Sequence, residues 1–283
     1  MENYSNEKVV KDRTLVNVNL SEYSDKLKEL DWWVFEIIVS KGISEEKEAK
    51  DICRDDIIVK YGIHVGSDSL WRSIKLLVNI NFFTVIKINT GYRNFNLLNL
   101  TEIGALAYIN KFKRKPAIQE HVLIHSHHAS YHHGYMIKDT KAILERIGLY
   151  RNVETRRDKN IIRFYDGAIC IPDIIAVMSN SEAHYYEVEC GNHHQFDINE
   201  KCDKLARLTK HIIYVGQNRK SVCGILRKQL EAWIEYRGRE ELLRLGIKVY
   251  LTTISDLSDK KWTYFYDMKT DKPICCFKEK EEK

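Results

Sequence analysis

The stretch IPDIIAVMSNSEAHYYEVEC, residues 171–190, decides the fold of the C-terminal part of this chain. It contains two runs of β-branched and aromatic residues on either side of the turn-forming sequence SNS at 179–181. Residues two apart on a strand project from one face, so Glu187 and Glu189 are expected to lie side by side. The pattern predicts a hairpin with Asp173 near the start of its first strand and two carboxylates on its second.

Strand-like and helical segments surround this hairpin. Apolar residues recur at helical spacing in 139–148, and β-branched residues cluster in 150–156 and 161–164. The elements predicted downstream are a helix over 197–210, a strand over 211–215, a helix over 221–236 and a strand over 248–253. Elements of both kinds without strict alternation predict an α/β domain with a mixed sheet over residues 135–283.

The N-terminal part of the chain follows a different pattern. After a polar arm over 1–24, apolar residues recur at three- and four-residue spacing through three helical stretches. A strand-like pair then flanks Asn89-Thr90-Gly91, and Thr101 caps a closing helix that ends near Phe112. Three helices, a hairpin and a helix predict a winged helix-turn-helix domain over 25–112. The whole chain is therefore expected to be an α+β protein of two domains.

The sequence LTEIG, residues 100–104, resembles the start of the last helix in many bacterial winged-helix regulators. Such a domain places its third helix in the major groove of double-stranded DNA and its hairpin near the phosphates. The residues expected to contact DNA are Ser67, Ser69, Arg72, Ser73 and Lys75 in the helix and Lys87 and Arg93 in the hairpin. Small winged helices also mediate protein contacts, so protein binding is the alternative for this domain.

Composition limits the class of protein. The 283 residues carry a net charge of +5, a mildly basic balance that suits a nucleic-acid partner. Seven scattered cysteines without a CxxC pair argue against a disulfide framework and a zinc ribbon. The N-terminus lacks an apolar signal core, and no apolar run approaches the length of a membrane span. A cytoplasmic protein without a membrane partner is expected.

Histidines crowd the segment between the two predicted domains. They are His121, His125, His127, His128, His132 and His133. Together with apolar neighbours, they favour an amphipathic linker helix over 113–134. Histidines spaced three and four apart also suit a metal site, which stays open as the alternative. No HExxH sequence is present, and no cysteine or carboxylate lies among them to complete a familiar site.

The hairpin at 171–190 resembles that of the PD-(D/E)xK nucleases, in which a proline-aspartate opens one strand and an acidic-x-lysine sequence lies on the next. The resemblance covers roughly residues 135–255 and implies a restriction-endonuclease-like domain that uses Mg²⁺ or Mn²⁺. By this resemblance Asp173 and Glu187 would bind the metal, and Glu154 would be a third acid converging on the same point. Metal-bound carboxylates of this kind activate water against a phosphodiester.

One position departs from that family. Glu189 occupies the place of the lysine that stabilises charge near the nucleophile. A few restriction endonucleases carry glutamate there, and others recruit a lysine from elsewhere. Lys201 and Lys204 on the following helix are the candidates, and Lys201 is included with Glu189 among the expected catalytic residues.

Three functions follow from these patterns. The first is a magnesium-dependent DNA endonuclease, in which the winged helix selects the DNA. The second is a catalytically inactive DNA-binding accessory, similar to the replication-relaxation proteins of plasmids and conjugative elements, with other DNA-processing proteins of the element as partners. The third, a repressor with a ligand-sensing domain, leaves the carboxylates unexplained. Cutting both strands, or reading a palindrome, would favour a homodimer.

Overall fold

The computed structural model describes residues 23, 26–128, 130–190, 193–218, 220, 222–258 and 264–266. The described chain divides into two units with separate cores. The first unit comprises the part up to Lys87 together with Phe95–Val122. The second comprises Ile88–Asn94 and the part from Leu123 onward. No helix in the described part is long and apolar enough to cross a membrane.

The first unit, completed by the hairpin tip Ile88–Asn94, has the predicted order of three helices, a hairpin and a closing helix. These elements are α1 (Glu29–Lys41), α2 (Glu46–Tyr61), α3 (Ser67–Asn79), β1 (Phe83–Asn89), β2 (Asn94–Leu100) and α4 (Glu102–Phe112). Their ends lie where the sequence signals them. Thr101 caps α4 by accepting a hydrogen bond from the Gly104 backbone N–H. Gly42 ends α1 in the left-handed region, with φ of 66°. The predicted arm over 1–24 lies, apart from Tyr23, outside the described residues.

The predicted linker helix over 113–134 is not one helix. Residues 113–119 are not helical, and two helices follow, α5 (Glu120–His128) and α6 (Tyr131–Ile147). The division between the units falls inside α5. The non-helical part packs as an extension of the first unit because the Gln119 side chain hydrogen-bonds the backbone of Leu98 and Leu100. Helix α6 begins eight residues before the predicted start at Asp139, and it therefore includes the last two histidines of the run.

The second unit contains most of the strands. Its further elements are β3 (Tyr150–Glu154), β4 (Ile162–Arg163), β5 (Ile169–Cys170), β6 (Ile174–Met178), β7 (Ala183–Glu189), α7 (Gln195–Ala206), β8 (His211–Gly216), a π-helical turn (Val222–Leu226) that leads into α8 (Arg227–Arg237), α9 (Arg239–Arg244), β9 (Lys248–Thr253), α10 (Ile254–Ser258) and β10 (Tyr264–Tyr266). The predicted strand over 169–177 is split into β5 and β6. Pro172, which has no N–H to donate, lies in the gap.

A mixed sheet organises the second unit. Its strand order is β10-β9-β8-β7-β6-β3, with β7, β8 and β9 parallel and the other neighbours antiparallel. Helices α6 and α10 cover one face, where Leu144 and Leu257 are buried. Helices α7 and α8 cover the other, where Cys202 and Trp233 are buried. The α+β class and the mixed sheet agree with the sequence, and the sheet brings the hairpin at 171–190 to its centre.

Candidate functional site

The register of β6 and β7 brings the two predicted metal-binding acids together. Ile174 lies opposite Tyr186, so Asp173, just before β6, comes opposite Glu187. The Val188 backbone N–H donates a hydrogen bond of 2.9 Å to Asp173 Oδ2, which ties the aspartate to the neighbouring strand. A one-residue slip of this pairing would separate the two acids, because it would turn one strand over.

The two faces of β7 carry different chemistry. Tyr186 and Val188 point into the core beneath α6. Tyr185 packs into the core beneath α7, so alternation places Glu187 and Glu189 on the α7 face as well. Both glutamates are buried, with 0 % and 2 % of their surfaces exposed. Two carboxylates therefore lie next to each other within the protein interior.

Lys201 reaches the same point from α7. Its Nζ atom lies 2.5 Å from Glu187 Oε2, 3.9 Å from Asp173 Oδ2 and 4.0 Å from Glu189 Oε1. Lys204, the other lysine considered for this role, pairs with a glutamate one turn earlier on the same helix. The helix that follows the hairpin thus brings a lysine to the three carboxylates. We call Asp173, Glu187, Glu189 and Lys201 the acid–lysine group.

The acid–lysine group contains more negative than positive charge. Burial raises the pKa of Glu187 well above its ordinary value, Lys201 opposes this, and Asp173 raises it further. Burial would also raise the pKa of Asp173, but Lys201 and hydrogen bonds from His133 and the backbone hold it below its usual range. Buried Glu187 Oε1 and Glu189 Oε1 accept no hydrogen bond from the described residues. The group is therefore suited to take up a proton or a further cation.

His133 belongs to this site, which the sequence did not indicate. Its Nε2–H donates to the Val188 carbonyl at 2.9 Å and lies 3.3 Å from Asp173 Oδ2. Sequence spacing groups His133 with the other histidines of the run, yet His121 is buried in the first unit against Ser44. The run is thus divided between two environments. Within the described residues, no three His, Cys, Asp or Glu side chains are arranged to hold a metal ion.

A second histidine, His193, joins from the loop before α7. Its Nδ1 atom lies 2.5 Å from Glu189 Oε2. Gln229 on α8 donates a hydrogen bond to the His193 carbonyl. His193 lines a cavity of about 310 Å³ together with Asp173 and Lys201. No sequence pattern linked His193 to the carboxylates, although it follows Glu189 by only four residues.

The Glu154 carboxylate is bound by its own neighbours in sequence. Its Oε1 atom accepts hydrogen bonds from the backbone N–H groups of Thr155 and Arg156, and Lys159 lies 3.5 Å from its Oε2. These local bonds engage its carboxylate at the end of β3. The convergence of Glu154 with Asp173 stays a prediction, and Asn160 Nδ2 donates to the backbone carbonyls of both residues, at 3.3 Å each.

The predicted DNA-contacting residues of α3 differ in exposure. Arg72 and Lys75 are exposed, and the Lys75 ammonium lies over the Trp71 ring at 4.8 Å. Ser67 is exposed and Ser69 is half-buried. Ser73 is corrected, because it is buried and donates a 2.5 Å hydrogen bond to Asp31. A hydroxyl committed to the core is not available to a base edge.

The two hairpin residues expected near phosphates also differ. Lys87 is exposed. Arg93 is half-buried and forms two hydrogen bonds with Asp139, of 2.7 and 2.8 Å. Tyr92 hydrogen-bonds the same carboxylate. The guanidinium of Arg93 therefore has a structural partner, and Lys87 is the better placed of the two to meet a phosphate.

Four ionisable side chains from three neighbouring stretches of chain meet at one buried point of the second unit. No family model and no curated protein matches this chain, so the chemistry of these groups follows from their geometry.

Proposed function

We propose that the second unit is a PD-(D/E)xK-type nuclease domain that hydrolyses phosphodiester bonds in double-stranded DNA. One observation carries the proposal: Asp173 and Glu187, from adjoining antiparallel segments, lie within 3.9 and 2.5 Å of the same Lys201 Nζ. Phosphodiester hydrolysis needs carboxylates that can bind a metal ion and a cationic side chain that stabilises the negative charge that develops on the phosphate. Asp173, Glu187 and Lys201 offer both.

The donor set suits Mg²⁺ or Mn²⁺. Asp173, Glu187 and the Val188 carbonyl offer hard oxygen ligands, which these ions prefer. The buried Glu187 Oε1, which accepts no hydrogen bond from the described residues, has ligand capacity to spare. When bound, such a cation polarises a phosphate and lowers the pKa of water. These residues therefore fit the cation that the family resemblance implies.

The chain's own cationic groups have distinct tasks in this proposal. Lys201 compensates the buried charge of Glu187. His133 donates to the Val188 carbonyl and contacts Asp173 Oδ2, so it would compete with a cation for these two oxygens. Arg157 lines the same cavity and places positive charge where a phosphate would enter, and His128 lines it with a lowered pKa.

For the first unit we propose a winged helix-turn-helix that binds the DNA. Its support is the order of α1, α2, α3, the β1–β2 hairpin and α4, together with exposed Arg72 and Lys75 on α3 and Lys87 on the hairpin. Cations on the third helix and the hairpin would neutralise phosphates, and the affinity would then fall as salt rises.

A supercoiled-plasmid assay with the full chain tests the proposal. With Mg²⁺ or Mn²⁺ we expect nicking or linearisation. Asp173→Ala should lose more activity than the roughly 10- to 100-fold typical of outer-shell partners of a metal. The matched control is Asp158→Ala, which removes an exposed aspartate paired with Arg156. The same cations should raise the melting temperature of the wild type and the control but not that of Asp173→Ala.

A non-catalytic DNA-binding accessory is the second candidate. Two observations favour it: Glu189 replaces the motif lysine, and Lys201 already supplies positive charge between the carboxylates. Retardation of duplex DNA without cleavage, and without any effect of cations on melting, would support this role over the nuclease. The partners would then be other cytoplasmic DNA-processing proteins of a plasmid or conjugative element. Absence of retardation at low salt would contradict both candidates.

A further inference from the structure

Glu189 and His193 form a carboxylate–imidazole pair at the edge of the acid–lysine group. The carboxylate is buried, with 2 % of its side chain exposed, whereas the imidazole is 45 % exposed. Their 2.5 Å contact uses the Nδ1 atom of the ring. The ring lines the cavity that also contains Asp173 and Lys201. One end of the pair is thus anchored in the protein and the other faces the space where a substrate would lie.

A carboxylate bound to Nδ1 determines how the imidazole works. It holds the Nδ1 proton, so the neutral ring presents the lone pair of Nε2, and it stabilises the imidazolium once that lone pair takes a proton. We propose that His193, oriented by Glu189, is the proton acceptor for the attacking water. This inference rests on the proposed phosphodiester hydrolysis.

The proton and electron balance of the step is complete without an added reactant. Water transfers a proton to His193 Nε2 while its oxygen bonds to phosphorus. The bond from phosphorus to the leaving oxygen breaks, and its electron pair stays with that oxygen, which takes a proton from solvent. The imidazolium then returns its proton to solvent, so the net reaction consumes one water per phosphodiester.

The pair also accounts for a glutamate at position 189. A lysine there would offer no acceptor to His193 Nδ1, and the structure supplies a lysine from α7 instead. Glu189 thus acts as a positioning residue for His193. The proton acceptor comes from the loop and the charge stabiliser from the helix.

The charges around His193 favour this role. The hydrogen bond to Glu189 raises the pKa of His193 above its ordinary value, burial and Lys201 oppose the rise, and Asp197 adds to it. The other charged or titratable groups lining the cavity are Asp173, His128, His133 and Arg157. A raised pKa makes the Nε2 lone pair of His193 a stronger proton acceptor.

Chemical rescue tests the assignment with the full chain and plasmid DNA. His193→Ala should lower the cleavage rate by about 10²-fold or more, the usual contribution of a general base. Added imidazole should restore a substantial part of that loss, since the exposed position leaves room for it. The matched control is His125→Ala, which removes an exposed histidine of α5. It should cleave at the wild-type rate, and added imidazole should not change that rate. The rise in melting temperature with Mn²⁺ should persist in His193→Ala, because the cation-binding acids remain.

Glu189→Gln tests the positioning role. Glutamine cannot stabilise the imidazolium, so cleavage should fall by an amount comparable to His193→Ala. Adding Glu189→Gln to His193→Ala should then cost little more, because residues that act as a unit lose their effect together.

The outcomes separate the two levels of the proposal. Cleavage by His193→Ala within a few-fold of wild type overturns the inference and leaves the nuclease standing. A large loss that imidazole does not restore also overturns it, because a structural role would behave that way. If the wild type does not cleave DNA under any cation, the proposed function fails and the inference falls with it.

Discussion

Ionisable side chains cluster at both ends of β7 and β8, but the two clusters differ in how many of their polar atoms have a hydrogen-bond partner. At the beginning of the strands, His184 and His211 lie with ring centroids 5.5 Å apart. The Tyr150 hydroxyl lies 2.9 Å from Nδ1 of His184, and the Tyr250 hydroxyl lies 2.7 Å from Nδ1 of His211. Glu182 approaches both Nε2 atoms, at 3.5 and 3.7 Å. Each ring nitrogen at this end has a polar neighbour.

At the other end, in the acid–lysine group, buried carboxylate oxygens accept no hydrogen bond from the described residues. Leaving such atoms without partners costs free energy that a purely structural site would avoid. Burial of polar groups alone therefore does not distinguish the two ends. The distinction lies in the carboxylate oxygens of Glu187 and Glu189 that accept no hydrogen bond from the described residues.

The largest expected effect comes from removing the one cation within the acid–lysine group. Lys201→Met should lower the free energy of unfolding by roughly 3–5 kcal/mol, because Glu187 would remain buried without its counter-charge. Chemical denaturation of the full chain measures this change. Adding Glu187→Gln should recover most of the loss, since the buried charge disappears as well. An unchanged denaturation midpoint in the single variant would show that the pair contributes nothing to stability.

A smaller effect is expected at the histidine end. Tyr150→Phe removes a hydroxyl that contacts His184 and lies 2.6 Å from the Tyr186 hydroxyl. We expect a loss of about 1–3 kcal/mol, because two hydrogen bonds disappear and each typically contributes about 0.5–1.5 kcal/mol. The matched control is Tyr165→Phe, whose ring is fully exposed and should not matter.

The same variant also sharpens the comparison between the two ends. The rise in melting temperature with Mn²⁺ should be the same in Tyr150→Phe as in wild type. If it disappeared, the histidine end would be the site that takes up the cation.

The smallest expected effect depends on pH. Burial, followed by His133, lowers the pKa of His128 from 6.5 to about 4. Between these values the unfolded chain is protonated at this residue and the folded chain is not, so stability falls as the pH is lowered from 6.5 towards 4. His128 is partly exposed, so we expect its share to be on the order of 1 kcal/mol.

Thermal unfolding at several pH values measures the contribution of His128. In His128→Asn, stability should fall less than in wild type as the pH is lowered. His184 and His211 have lowered pKa values too and contribute a decline of the same sign. Only the difference between variant and wild type therefore counts. His125→Asn, on the exposed side of α5, should keep the wild-type slope.

Local signals made much of the fold predictable. The ends of α1 and α2 follow from Gly42 and Gly62, and the start of α4 follows from Thr101, because each signal acts within one helical turn. The placement of Asp173 beside Glu187 likewise follows from strand alternation once the hairpin is recognised. These predictions need no knowledge of distant contacts.

The remaining features depend on contacts between segments far apart in sequence. Ser73 looks like a surface serine until Asp31, 42 residues earlier, proves to be its partner. His133 reaches Val188 across 55 residues, and nothing in the histidine run distinguishes it from its neighbours. Glu154 is the opposite case, since its carboxylate accepts hydrogen bonds from the backbone N–H groups of the next two residues. Tertiary partners of this kind leave no periodic trace in a single sequence.

The pairing of Ile174 with Tyr186 has a consequence for how such a site can diverge. The turn between β6 and β7 can gain or lose residues without moving either acid, because the pairing continues from the strands and not from the loop. A single insertion between Tyr186 and Glu187 would instead send the glutamate to the opposite face. Proteins that descend from one ancestral hairpin can therefore differ in the length and composition of this turn. They must keep each acid on the same face of its strand, which requires that it stay at an odd or an even position. A sequence alignment that scores residue identity does not record this property.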